Sequence, residues 1–137
     1  MRLIQSIPAL AIVIAIYNIF AFGNSMLDAE SLLFSWVLPS AAEVFFNVGD
    51  GFVLAGLVAL FFELLKSARA GRGTIVDHML STITLIVAVV EFVIVPVCGT
   101  VAFFLLTAMA LIDVVAGFTI SILAARRDLS VNRDGGL

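Results

Sequence analysis

Charge is what this chain has least of. Only 12% of its 137 residues are charged, against about 25% in an ordinary soluble domain, and a water-soluble globule is excluded. One cysteine, Cys98, rules out an intramolecular disulfide. One histidine, His78, rules out a bis-histidine haem, and no pair of His or Cys has metal-ligand spacing, so neither cofactor nor metal is expected. There is no glycine-rich phosphate loop and no set of residues from which a nucleophile and its base can be assembled, so an enzyme is not expected. The formal net charge of -3 argues against a nucleic-acid partner, because phosphate binding needs a clustered basic surface. Lys and Arg are missing altogether from 3–65 and from 73–125.

What the chain has in abundance is apolar surface, at 63% of residues. It falls into four long blocks, and about 20 residues of helix cross a hydrocarbon core of about 30 Å. The blocks are Leu3 to Gly23, Val48 to about Lys66, Thr74 to about Val95, and Thr100 to about Ala125. Pro8 falls in the first turns of the first block, where a missing N–H costs least. A cleaved signal peptide ending at Ala21-Phe22-Gly23 is the competing reading of that block, which is longer than the usual apolar core of such peptides. Asp50 is expected to N-cap the second span, and Thr74-Ile-Val-Asp77 has capping-box form for the third. Between the first two spans, two aromatic and β-branched runs, Leu32 to Leu38 and Glu43 to Asn47, flank Pro39-Ser40. They predict a small hairpin on the outer membrane surface, with an interfacial helix anchored by Trp36 as the alternative.

The expected fold is therefore an all-α membrane protein, an up-down-up-down bundle of four transmembrane helices with that hairpin between spans one and two. Residues 1–127 form the transmembrane domain and 128–137 a flexible cytoplasmic tail. Direction follows from the cations, which are retained in the cytoplasm. Arg2 precedes span one, Lys66, Arg69 and Arg72 lie between spans two and three, and Arg126, Arg127 and Arg133 follow span four. Both termini are predicted cytoplasmic. The link Lys66, Arg69, Arg72 either binds anionic lipid headgroups or serves only as a topology determinant, and Glu63 is expected to pair with Lys66 or Arg69.

The polar residues inside the spans carry the functional question. Asp113 is thirteen residues from both Thr100 and Arg126, about 20 Å from either end and far from any cation in depth. Insertion of such an Asp costs about 2.5–3.5 kcal/mol. Asp113, Gly117 and Ser121 share a row at spacings of four, and His78, Ser81, Thr84, Ala88 and Glu91 share a face of span three. Small residues on span one (Ala15 beside Asn18) and span two (Ala55, Ala59) are expected to face inward with Ala88 and Gly117, allowing close helix approach. Asn18 and Glu91 fall at similar depth, so a contact is geometrically allowed, and Thr84 is a candidate partner for Asp113. Two uses compete for Asn18, His78, Ser81, Thr84, Glu91 and Asp113. One is interhelical glue in a non-catalytic accessory or interaction subunit. The other is a proton or cation relay in a small homo-oligomeric transporter. Cys98, in the turn Pro96-Val-Cys-Gly99, either cross-links two copies or is a buried, inert thiol.

The segments Gly73-Thr-Ile-Val-Asp-His78, Glu91-Phe-Val-Ile-Val-Pro96 and Leu111-Ile-Asp-Val-Val-Ala-Gly-Phe118, with Ala124-Ala-Arg-Arg-Asp128, resemble those of small uncharacterised four-span bacterial inner-membrane proteins. The resemblance covers the whole chain. It implies a bacterial inner membrane, with the lipid bilayer and another membrane protein or a second copy as partners, and it implies no activity.

The orientation is tested by cysteine labelling from outside the cell. Ser40→Cys is expected to react with an impermeant thiol reagent and Ala70→Cys to stay unlabelled; the reverse pattern would invert the topology.

Overall fold

A computed structural model describes residues 7–23, 28–70 and 75–134, with the side chains of 69, 70, 75, 124 and 127–134 excepted. Arg2, Arg72 and Thr74 therefore lie outside the described residues, as do the side chains of Arg69, Arg127 and Arg133. The protein is mostly helical, with four α-helices among the described residues: α1 (Ala9–Phe22), α2 (Val48–Ala70), α3 (Ile75–Ile94) and α4 (Val101–Asp134). Between α1 and α2 stand β1 (Leu32–Val37) and β2 (Glu43–Asn47), and a 3-10 turn at Pro96–Cys98 joins α3 to α4.

Three helices are long and apolar enough to cross a membrane, over Val48–Ala68, Val76–Ile94 and Val101–Leu123. The fourth, α1, has 14 residues and spans about 21 Å. It nonetheless belongs to the core. Tyr17 and Leu10 are each 1% exposed and pack with Phe103 and Leu106 of α4, both fully buried. Cleavage at Ala21-Phe22-Gly23 would strip these side chains from the core. Tyr17 stands edge-on to Phe52 of α2, ring centroids 5.1 Å apart, and packs at the same distance on Phe103.

Side-chain partners fix the helix directions. Ala9 at the start of α1 meets Glu63 late in α2, whereas Tyr17 late in α1 meets Phe52 early in α2. His78 early in α3 meets Ser121 late in α4, and Phe92 late in α3 meets Phe104 early in α4. Thus α1 and α3 run one way and α2 and α4 the other. The longest helix, α4, packs against both α2 and α3, while α1 leans chiefly on α2. It runs past the span end expected near Ala125, as far as Asp134, into the stretch read from sequence as a tail.

The hairpin is antiparallel, with Phe34 opposite Phe46 and Trp36 opposite Val44. Its loop closes by Leu38 N–H donating to Ala42 O at 2.8 Å and Ala41 N–H to Leu38 O at 2.9 Å. Ala41 takes the left-handed conformation, φ 63°, the position that usually follows a type I turn in three-residue hairpin loops. Asp50 is not the N-cap of α2. Its carboxylate sits in the first turn and accepts Asn47 N–H at 2.8 Å, the backward half of a capping box, since the helix starts three residues earlier than an N-cap at Asp50 would place it.

Two expected packing residues are misplaced by the sequence reading. Ala15 and Ala55 lie on exposed faces of α1 and α2. Helical spacing shows that small residues share a stripe, yet a neighbour chooses which stripe it meets. On α2 that stripe passes through Gly56 and Ala59: a Cβ at Gly56 would lie 2.5 Å from Leu106 Cδ2 and 2.9 Å from Met109 Sδ. Gly56→Leu is expected to cost about 1–3 kcal/mol or more through overpacking, whereas Ala55→Leu, one residue away, should stay within about 0.5 kcal/mol of the parent. Thermal unfolding in mild detergent reads both, and equal effects would disprove the α2–α4 packing face.

Candidate functional site

Polar side chains gather at two levels of the bundle. At the hairpin end, Asn18 Nδ2 donates to Glu91 Oε2 at 2.8 Å, joining α1 to α3 as their depths allow. Beside this pair, the Tyr17 hydroxyl and Thr100 Oγ1 are hydrogen-bonded at 2.6 Å, and Thr100 also accepts Phe103 N–H at 3.1 Å. Thr100 is thereby the N-cap of α4. Cys98 is fully buried, its Sγ 3.7 Å from Asn18 Oδ1. Burial pushes the Cys98 thiol up, and the nearby Glu91 charge pushes it further. Such a thiol is poorly nucleophilic, and of the two expectations for Cys98 the inert one fits this environment.

At the opposite end, the stripes on α3 and α4 interlock. His78 Nε2 and Ser121 Oγ share a hydrogen bond of 2.7 Å, its donor set by the imidazole tautomer. The imidazole stacks on Phe118 at 5.1 Å and lies over Gly117, where a Cβ would come within 3.0 Å of Nδ1. One turn on, Ser81 is hydrogen-bonded to Asp113. Asp113 is 7% exposed and faces protein. Thr84 is not its partner; that hydroxyl donates to Leu80 O within α3 at 2.9 Å. This is what β-branched hydroxyls in helices do when no neighbour competes.

The surroundings of Asp113 also differ from those expected at mid-depth. It lines a crevice of about 40 Å³ with Glu63, Lys66, Ser67, Asp77, His78, Ser81 and Gly117. Lys66 and His78 lie near enough for their charges to act on it. The crevice sits where α2 and α3 stand apart over α4. Its volume suits one or a few waters and no larger ligand. Counting along the sequence placed Asp113 midway between Thr100 and Arg126, but depth is set by which residues of α2 and α3 it meets.

Glu63 is the residue that the sequence reading undervalued. Beyond its ion pair with Lys66 at 3.7 Å, one carboxylate oxygen accepts Ala9 N–H at 2.7 Å. It thus satisfies a free donor of the first turn of α1. Its only signal in the sequence is an i,i+3 spacing to Lys66, which reads as a surface pair. Of the expected headgroup residues, Lys66 is described and is 42% exposed at its side chain. Ala59, Ala88 and Gly117 are buried, and Ser121 is half-buried.

Between the two levels the core is apolar apart from Thr107. Leu10 and Ile14 of α1, Ala59 and Leu60 of α2, Ala88 of α3 and Leu106, Met109 and Ala110 of α4 fill it. Thr107, within this layer, donates to Phe103 O of its own helix at 2.9 Å. Among the described residues no group of three His, Cys, Asp or Glu side chains is arranged to hold a metal ion.

No family model, curated protein or solved structure matches the chain.

Proposed function

We propose that this protein is a non-catalytic, multi-pass membrane protein that serves as an accessory or interaction subunit, with four spans and both termini cytoplasmic. Most of its outward surface is aliphatic or aromatic, with Ile19 and Val93 each 73% exposed and Val101 76%. Soluble proteins rarely expose continuous apolar surface of this kind. The observation that carries the reading is that Glu91 is held by Asn18 and Asp113 by Ser81, each across a helix boundary. Polar groups placed this way join helices in lipid. The hairpin supports an interfacial position on the far side from the cations. Two strands alone are marginal in water, and here Leu32, Leu33, Phe34, Trp36 and Phe45 are each more than half exposed. The resemblance to small bacterial inner-membrane proteins gives the membrane of choice.

A second reading, a homo-oligomeric proton or cation transporter, draws on one observation. Asp113 faces a polar crevice that also holds His78, Glu63 and Lys66. Against it stands the apolar layer, across which none of the hydrogen bonds among described residues passes from one polar level to the other.

Asp113→Asn separates the two. It keeps size and hydrogen bonding, so the accessory reading expects a variant within about 1 kcal/mol of parent stability and no proton flux from either protein in liposomes. A parent that conducts protons and an Asn variant that is folded and silent would replace the accessory reading with the transporter.

A further inference from the structure

The hairpin sorts its side chains by face. Leu38, just past β1, donates its N–H to Ala42 O at 2.8 Å, so its backbone points at β2, and by alternation along the strand the backbones of Trp36 and Phe34 do too. Their side chains share a face with those directly opposite, Val44 and Phe46, and Phe34 stacks on Phe46 with ring centroids 4.8 Å apart. That face is apolar throughout. The other face carries Ser35 and Glu43 with Val37 and Phe45.

The same alternation leaves an open edge. Ser35 and Val37 turn their N–H and C=O away from β2, and among the described residues nothing bonds to these groups. β1 is exposed along its whole length, with Trp36 at 66% and Val37 at 60%. An exposed apolar edge is a template for another strand, which proteins normally blunt with charge or proline. Leu32–Val37 contains neither. Two strands also fall short of what an independently stable sheet needs.

A second copy of the chain fits this edge. With the apolar face on the bilayer surface, the position proposed for the hairpin, the sheet lies flat and the open edge of β1 points sideways along the membrane. Copies inserted in one direction carry their hairpins at one height and are related by a two-fold axis along the membrane normal. That axis sets one β1 antiparallel to the other and keeps both apolar faces on the bilayer, as antiparallel pairing requires. Charge selects β1 over β2. The outward backbone groups of β2 belong to Glu43 and Phe45, so pairing through β2 would bring two like carboxylates together. Joined through β1, the β2 strands stand about 14 Å apart, farther than the Debye length of about 8 Å.

We propose that the chain pairs with a second copy through β1, forming a four-stranded antiparallel sheet centred on Trp36. Ser35 and Val37 of one copy exchange backbone hydrogen bonds with Val37 and Ser35 of the other, and the two Trp36 side chains meet as a non-hydrogen-bonded pair. This gives the accessory reading a partner and rests on the membrane placement in that reading.

The test is disulfide cross-linking of cysteine variants in native membranes, with the buried Cys98 left in place. Cα atoms across a non-hydrogen-bonded pair lie about 4.5 Å apart, within disulfide reach, whereas those of the two β2 strands lie beyond the limit of about 7 Å. Under mild oxidation Trp36→Cys is expected to give at least tenfold more covalent dimer than Phe45→Cys, although both positions are exposed. Adding Ser35→Pro to Trp36→Cys removes an outward N–H that the hairpin does not use and should cut the dimer at least tenfold. Equal yields at the two positions, more dimer from Phe45→Cys, no dimer from either, or a dimer undiminished by Ser35→Pro would overturn the pairing. Single-molecule bleaching of the fluorescently tagged parent in lipid vesicles reads the same state with β1 intact; two steps are expected, and one step would overturn the proposal. Carbonate washing of the membranes reads the spans separately. A chain that washes off overturns the membrane reading and the pairing with it, while a retained chain without these dimers overturns the pairing alone.

Discussion

A polar group removed from water must find its partner inside the protein, and in a chain this poor in charge that requirement organises the helices. Each unmet donor or acceptor in an apolar surrounding costs several kcal/mol. The four helices accordingly meet where their polar side chains can answer one another. Asn18 reaches Glu91, Tyr17 reaches Thr100, His78 reaches Ser121, and Glu63 reaches the open N–H of Ala9. These contacts tie α1 to α2, α3 and the start of α4, and α3 to α4. The apolar side chains between them supply area but no direction, because one aliphatic surface fits another in many registers. The hydrogen-bonded pairs select the register.

Much of this frame was legible in residue order. The hairpin, its Pro39-Ser40 loop, the Thr100 start of α4, the Asn18–Glu91 contact and the meeting of the Asp113, Gly117, Ser121 row with the His78, Ser81 face all follow from spacing and residue type. Other features did not. Ala15 and Ala55 are exposed, because a stripe of small residues permits close approach without summoning it, and α4 docks on Gly56 instead. Thr84 bonds its own helix, since its hydroxyl finds a carbonyl four residues back without any neighbour. Asp113 shares a crevice with Lys66, a proximity between residues far apart in sequence that depends on the relative slide of α2 and α4. Position along one helix cannot report that slide.

The two polar levels differ in what they offer. The inner crevice is small and crowded with groups of both signs, an arrangement that holds helices and a water more readily than a ligand. The level at the hairpin end instead pairs its polar groups directly, Tyr17 with Thr100 and Asn18 with Glu91.

The central claim, that paired polar side chains set the helix register, is measured most directly by a double-mutant cycle on Asn18→Leu and Glu91→Leu. Unfolding free energies of the parent, both single variants and the double variant in detergent give the coupling. Polar pairs between helices in membrane proteins average about 0.6 kcal/mol and reach about 1.7 kcal/mol. A coupling in that range is expected, with the double variant less destabilised than the sum of the singles. Strict additivity of the two substitutions would contradict it.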